Sequence, residues 1–144
     1  MTRKTDTPAQ PTKSQDISGK FTVPILTFLQ AQDRPRSAYE ILDELRDKGA
    51  KAPMQIYRAL AKLETAGLAH KLPKSNGWIA CDGHNHEDVQ QMLLLLSCQS
   101  CGAVEEVHDP HFQKAITALT QKTNYDLPAQ TIEVDGMCQP CKDD

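Results

Sequence analysis

The residues with the clearest chemical meaning are two Cys-x-x-Cys pairs, Cys98 with Cys101 and Cys138 with Cys141. Each pair forms a tight turn that directs two thiolates towards one point, so together they supply the four sulfur ligands that Zn²⁺ binds tetrahedrally. Disulfides or reduced core thiols are the alternative, but nothing in the chain indicates a secreted protein. The pairs therefore predict a structural zinc site that joins two distant segments.

A second group of potential metal ligands surrounds the remaining cysteine, Cys81, which is followed closely by His84 and His86. His70 lies on a predicted strand that a hairpin would place beside the strand ending at Cys81, and Glu106 lies on a later strand. A thiolate, imidazoles and a carboxylate can together bind Zn²⁺, and the thiolate favours zinc over Mn²⁺ or Fe²⁺. Each residue taken singly is better explained as a core or surface side chain, and only the set as a whole indicates a metal site, so the residues alone leave this site open.

Composition limits the class of protein. The chain has 144 residues, 39% of them apolar, which suffices for one compact domain or two small ones. Its longest apolar run, Met92–Leu96, has the length of a strand, so we expect no membrane segment. Residues 1–18 are polar and lack the apolar stretch of a secretory signal, which predicts a disordered arm and a cytoplasmic protein.

Charge is divided unevenly along the chain. Residues 1–76 contain 13 Lys and Arg against 8 Asp and Glu, whereas residues 77–144 contain 3 against 11. A basic half joined to an acidic half indicates that only the first half is suited to a polyanion. Ordinary surface charge explains the same counts, so this observation alone decides little.

Helical patterns occupy the basic half. The apolar stretch Phe21–Leu29 predicts a first helix. Ser37 and Glu40 have the spacing of a capping box at the start of a second helix, and Gly49 supplies its C-terminal stop. A third helix begins near Pro53, because proline is well tolerated at the first helical position.

The third helix has an apolar seam and an opposite polar face. The seam consists of Ile56, Leu60 and Leu63, and the polar face carries Gln55, Tyr57, Arg58 and Lys62. Because the second and third helices are joined by a short turn, such an amide, phenol, guanidinium and ammonium suit a helix that reads the DNA major groove. A solvated helix face is the alternative explanation.

A predicted β-hairpin follows the third helix. Leu68–Leu72 and Gly77–Cys81 have strand character, and the residues between them have the chemistry of a turn. Helix, turn, helix and hairpin occur in this order in winged-helix proteins, with Lys71 and Lys74 positioned to contact the phosphate backbone. The hairpin strengthens the DNA-binding interpretation of the third helix.

The acidic half predicts a small α/β unit. Strand patterns cover Met92–Ser97, Ala103–Val107 and Thr131–Val134, and a helical pattern covers His111–Lys122. Three strands and one helix form too small a core to be stable alone. We therefore expect stabilisation by the cysteine site and by a second copy of the chain in a homodimer.

These motifs resemble the ferric uptake regulator (Fur) family of metal-dependent bacterial repressors, and within it most closely the zinc uptake regulators. The resemblance extends from about residue 22 to residue 141. Its most specific segments are Ser37–Leu42, Ile56–Leu60, Cys98–Glu106 and Ile132–Cys141.

The resemblance implies a dimeric winged-helix repressor that binds palindromic operator DNA when loaded with zinc and represses zinc-uptake genes. It implies two zinc ions per chain. The structural ion would be held by Cys98, Cys101, Cys138 and Cys141, and the regulatory ion by His70, Cys81, His84 or His86, and Glu106. Tyr57 and Arg58 correspond to residues of the family that contact DNA. His86 is the favoured loop ligand because it is nearer the dimerisation strands, and His84 is the alternative.

The expected fold class is α+β, with four parts along the chain. These are a disordered arm over residues 1–18, a winged-helix DNA-binding domain over 19–81, a hinge loop over 82–91 and a dimerisation domain over 92–144. We expect no small-molecule substrate and no membrane partner. The alternatives are an iron-, manganese- or peroxide-responsive regulator of the same family, a zinc-stabilised interaction module, and a zinc hydrolase.

Overall fold

A computed structural model describes residues 17–81, 92–126 and 131–144. The chain divides into two compact units, Met1–His84 and Asn85–Asp144. Within the described ranges, no helix combines the length and apolar character needed to cross a membrane.

The first unit contains three α-helices: α1 (Thr22–Gln30), α2 (Ala38–Glu44) and α3 (Pro53–Thr65), with a short 3₁₀ helix (Arg46–Lys48) after α2. The predicted capping box is present at α2: the N–H of Glu40 donates to Oγ of Ser37 at 3.2 Å, and the N–H of Ser37 donates to Oε2 of Glu40 at 2.7 Å. Gly49 ends the turn after α2 with a φ of +91°, a conformation that costs glycine little. The helix boundaries therefore follow from local sequence chemistry.

A β-hairpin completes the first unit. Strands β1 (Ala69–Lys71) and β2 (Trp78–Ala80) pair antiparallel, with His70 opposite Ile79. Arg36, just before α2, exchanges two backbone hydrogen bonds with Trp78 and so adds a third short segment to the hairpin. Helix, helix and hairpin follow in winged-helix order, as the sequence predicts.

The core of the first unit lies between the helices and the hairpin. The predicted seam of α3 is fully buried, since Ile56, Leu60 and Leu63 are each 0% exposed. Its partners come from α1, α2 and the hairpin. They include Ile25, Leu29, Ile41, Leu45, Ala69 and Trp78. Burying one face of α3 in this way fixes the orientation of its opposite face.

The second unit contains a three-stranded sheet of order β4-β3-β5, formed by β3 (Leu93–Cys98), β4 (Val104–Val107) and β5 (Thr131–Gly136). β3 pairs antiparallel with β4 and parallel with β5. Helix α4 (Pro110–Thr123) follows β4, and a short helix α5 (Gln139–Lys142), which the sequence did not predict, follows β5.

Much apolar surface of the second unit is exposed. α4 has no buried residue. Leu119 on α4 is 58% exposed, and Leu96 and Val134, which face each other across β3 and β5, are 41% and 45% exposed. Isolated exposed apolar side chains are ordinary on protein surfaces, but three large ones on so small a unit are not.

Candidate metal centres and nucleic-acid interface

The four paired cysteines meet at one end of the sheet in the second unit. Cys98 is the last residue of β3, and the parallel register places it opposite Gly136, the last residue of β5. The turn after β3 therefore delivers Cys101 beside the segment that carries Cys138 and Cys141 at the start of α5. A hydrogen bond from the N–H of Cys138 to Sγ of Cys98, at 3.4 Å, joins the two segments.

The sulfur geometry fits a single zinc ion. The four Sγ atoms all lie within 4.8 Å of one another, and those of Cys101 and Cys138 are 3.8 Å apart. Four sulfurs at about 2.3 Å from a tetrahedral zinc lie about 3.8 Å from each other. A disulfide would require about 2.05 Å, and every cysteine of the chain is a free thiol in the structure. The donor set and its spacing thus suit zinc rather than disulfides.

The electrostatics of this cluster differ from one sulfur to the next. Hydrogen bonds from the backbone N–H groups of Cys101 and Cys138 stabilise the Cys98 thiolate and lower its pKa to about 6. At Cys138 the backbone N–H of Cys141 favours the thiolate, but the side chains of Cys141 and Cys98 oppose it and the pKa rises to about 12. One sulfur is therefore charged at neutral pH before any metal binds.

Two of the other predicted ligands, His70 and Cys81, come together in the first unit. His70 is the middle residue of β1, and Cys81 directly follows β2, held by a hydrogen bond from its N–H to the carbonyl of Leu68 at 2.9 Å. A ring nitrogen of His70 and Sγ of Cys81 lie within 4.8 Å of each other. Cys81 is 3% exposed. The hairpin thus brings an imidazole and a thiol together, as its predicted pairing requires.

The predicted carboxylate ligand, Glu106, lies on β4 in the second unit, opposite Leu95 of β3. Its side chain is 2% exposed, and its Oε1 lies 2.6 Å from Nε2 of His108. Side chains two positions apart on a strand share one face, and the structure shows that these two are in contact. His84 and His86, the predicted loop ligands, lie outside the described residues.

The predicted reading face of α3 is exposed on the first unit. Tyr57, Arg58 and Lys62 all point away from the buried seam, and the ammonium of Lys62 donates to the carbonyl of Ser18. Gln55 has a role that the sequence analysis missed. Its Oε1 accepts the N–H groups of Lys51 and Ala52 at 2.8 and 3.1 Å, so its oxygen caps the start of α3.

The two wing lysines are solvent-exposed. Lys71 ends β1 and Lys74 lies in the hairpin turn. Met54, at the second position of α3, is 59% exposed and adds an apolar side chain to the head of the reading face. The sequence analysis did not consider Met54, although this residue is not part of the apolar seam of α3.

Comparison with known proteins identifies relatives over most of the chain. The family model described as "Ferric uptake regulator family" matches residues 21–135. The "Zinc uptake regulation protein" of Escherichia coli strain K12 is 31% identical over 118 residues, covering 81% of this chain and 68% of that protein. The protein of the same name from Mycobacterium tuberculosis H37Rv is 31% identical over 122 residues, covering 82% and 88%.

Solved structures agree with these relatives. The structure described as "Zinc Uptake Regulator Complexed With Zinc AND DNA" superposes with a TM-score of 0.77 at 28% identity, covering 88% of this chain and 83% of that one. The crystal structure of holo XcZur superposes with a TM-score of 0.76 at 30% identity, covering 89% and 87%. Similarity of this extent supports the winged-helix and dimerisation-domain architecture that the sequence predicts.

Proposed function

Because the chain belongs to the ferric uptake regulator family, we propose that it is a zinc-responsive repressor that binds palindromic operator DNA as a zinc-loaded homodimer and represses zinc-uptake genes. Relatives at 31% identity are named for zinc uptake regulation, and one similar structure contains both zinc and DNA. Members of this family regulate transcription and are not enzymes, so the hydrolase interpretation is excluded.

The observation that carries the zinc assignment is the His70–Cys81 pair on the hairpin. A buried thiol beside an imidazole is a donor pair that favours Zn²⁺ over Mn²⁺, whereas Fe²⁺ regulators more often use nitrogen and oxygen donors. We assign His70, Cys81, Glu106 and one of His84 or His86 to a regulatory zinc, and the four paired cysteines to a structural zinc. Each chain would then bind two zinc ions.

The regulatory zinc acts in this proposal as a removable crosslink. Its ligands come from a DNA-binding domain over residues 19–81, a hinge loop over 82–91 and a dimerisation domain over 92–144. An ion that takes ligands from all three restricts the angle of α3 to the dimer axis. Two reading helices must enter major grooves about one DNA turn apart, so an unrestricted hinge adds an ordering cost to DNA binding.

In DNA recognition, the exposed face of α3 contacts base edges and the hairpin contacts phosphate. Arg58 is the side chain best suited to guanine, Tyr57 can donate to phosphate, and Lys62, Lys71 and Lys74 supply positive charge. Gln55 contributes through its amide nitrogen, because its oxygen caps the helix.

The test measures operator affinity against free zinc. A palindromic operator is first selected from random DNA with zinc-loaded wild-type protein, and binding is then measured for wild type, Cys81→Ser and His70→Asn. A coupling of about 1–3 kcal/mol between zinc binding and DNA binding corresponds to a zinc-induced increase in operator affinity of roughly 5–150-fold. We expect both variants to lose most of this increase. His111→Asn, which changes an exposed imidazole on α4, is the matched control and keeps the response.

An undiminished zinc response in Cys81→Ser would refute the regulatory-site assignment. Titration of the same operator complex with Fe²⁺ and Mn²⁺ tests the iron- or manganese-sensing alternative. A response to either ion at concentrations where zinc has no effect would establish that alternative instead.

A further inference from the structure

His108 holds the carboxylate of Glu106 through a short hydrogen bond. Glu106 lies on β4, and His108 directly follows this strand, so the alternation of side chains places both on the same face. Nε2 of His108 lies 2.6 Å from Oε1 of Glu106, and because a carboxylate oxygen accepts, the imidazole donates. The contact is within one unit and between residues two positions apart.

Burial makes this contact necessary for Glu106. Its side chain is 2% exposed and lies on the face that carries Leu95, which is 0% exposed. A carboxylate removed from water is costly unless its oxygens are hydrogen-bonded or bound to a cation. His108, whose side chain is 22% exposed, supplies one of the required donors.

The contact orients the carboxylate of Glu106. Oε1 accepts a hydrogen bond from the imidazole of His108, which fixes the direction of the carboxylate and favours metal binding through one oxygen rather than two. Ligands whose orientation is fixed by a neighbouring hydrogen bond bind metal more tightly, and loss of such a neighbour typically lowers metal affinity by about 10–100-fold.

We propose that His108 is a positioning residue for the regulatory zinc: through Nε2 it orients the carboxylate of Glu106 towards the ion, without itself being a ligand. This inference rests on the proposed function, which makes Glu106 a zinc ligand. His108 is not part of the cluster formed by the four paired cysteines. We therefore expect its substitution to change the affinity of the regulatory zinc only.

The test compares four variants by zinc titration against a competing chelator and by the visible spectrum of Co²⁺ in place of zinc. His108→Leu removes the donor, His108→Gln keeps one, Glu106→Gln removes the ligand, and His111→Leu is the control. We expect His108→Leu to weaken binding of the second zinc about 10–100-fold and to change the Co²⁺ d–d bands. His108→Gln should recover most of the affinity, and His111→Leu should match wild type.

The double variant separates this inference from the proposed function. In a Glu106→Gln background, His108→Leu should cause no further loss, because there is no carboxylate left to orient. A full effect of Glu106→Gln with wild-type affinity in His108→Leu overturns the positioning role alone. Wild-type zinc affinity in Glu106→Gln overturns the ligand assignment itself.

Two further outcomes also count against the proposal. If His108→Gln is as impaired as His108→Leu and the double variant is worse than either, His108 is itself a ligand. If His108→Leu also loses the zinc of the four cysteines, its role is structural. Retention of one tightly bound zinc per chain in every variant shows that the second unit is folded.

Discussion

Cys98 and Cys138 belong to one cluster, yet their pKa values move in opposite directions, to about 6 and about 12. Backbone N–H groups stabilise the Cys98 thiolate and lower its pKa, whereas side-chain hydrogen bonds with Cys141 and Cys98 favour the protonated thiol of Cys138 and raise its pKa. Zinc must therefore displace a proton from Cys138 at neutral pH, whereas Cys98 is already ionised. Acid opposes zinc binding at both residues, but at Cys98 only below about pH 6.

This asymmetry gives a pH prediction. The Cys98 pKa is lowered, so protons compete with zinc at this sulfur only as the pH falls through about 6. We expect the slope of log zinc affinity against pH to be steeper by one proton below pH 6 than above it. The measurement is chelator competition on Cys81→Ser, whose remaining zinc is the one at the four cysteines. A constant slope would contradict the assignment of a preformed thiolate.

Arg58 and Lys74 test two modes of DNA contact. Arg58→Ala removes a bidentate donor from the exposed face of α3, and we expect a loss of about 1–3 kcal/mol and relaxed preference at one base pair. Lys74→Ala removes a charge from the hairpin turn and should weaken binding to all sequences alike, lowering the salt slope by about one. Affinity at several salt concentrations distinguishes them. Glu64→Gln, on the same helix, is the control.

At the scale of elements, the capping box shows how side chains fix a helix start. Ser37→Ala removes the acceptor for the N–H of Glu40, and we expect the free energy of unfolding of the first unit to fall by about 1 kcal/mol. Urea unfolding measures it. An unchanged midpoint would mean that solvent replaces the cap without cost.

The capping box also makes the stability of the first unit dependent on pH, through the carboxyl group of Glu40. The backbone N–H of Ser37 lowers the pKa of Glu40 below 4.5, with further help from the Ser37 and Arg36 side chains. A lowered folded-state pKa stabilises the protein above the unfolded value, and this contribution is lost as the pH falls through the folded value. The stability difference between wild type and Glu40→Gln should therefore shrink below about pH 4.

Most elements were predictable because their signals are local. Pro53, Gly49 and the Ser37–Glu40 spacing act within one turn of a helix, and the structure has boundaries close to those predicted. The pairing of Arg36 with Trp78 was not predictable, because it joins residues far apart in sequence. Gln55 was predicted to contact DNA from its position on the helix alone. Its hydrogen bonds to the N–H groups of Lys51 and Ala52 were not predictable, because they depend on the path of the backbone before α3.

At the scale of the whole molecule, the four-cysteine site was predictable and the second ligand set only partly so. Cys-x-x-Cys pairs encode their own turn geometry, so Cys98 and Cys141 could be placed together from sequence. The His70–Cys81 pair required a correct hairpin register. The contact of Glu106 with His108 could not be predicted, because it depends on side-chain conformations that the sequence pattern does not determine.

The proposed function gives each chain two zinc sites of different strength, and this predicts a stepwise response to chelation. A zinc at the four cysteines would be enclosed by thiolates in a tetrahedral site, and such sites contribute folding free energy. Mild chelation should lower the zinc content from two to one per chain, with operator affinity falling in step. Elemental analysis alongside a gel shift measures both. Loss of DNA binding only with the last zinc would contradict separate regulatory and structural roles.

Exposed apolar side chains on the second unit predict the assembly state. Leu119 is 58% exposed on a helix with no buried residue, and burying such a surface against a second copy removes it from water at about 25 cal/mol per Å². We expect Leu119→Glu to shift the protein towards monomer in sedimentation equilibrium and to lower operator affinity, because one reading helix alone spans half of a palindrome. Gln121→Glu adds the same charge to an exposed position of α4 and should remain dimeric. If both variants dimerise like wild type, the exposed face of α4 is not the interface, and the partner surface must be sought on Leu96 and Val134 of the sheet.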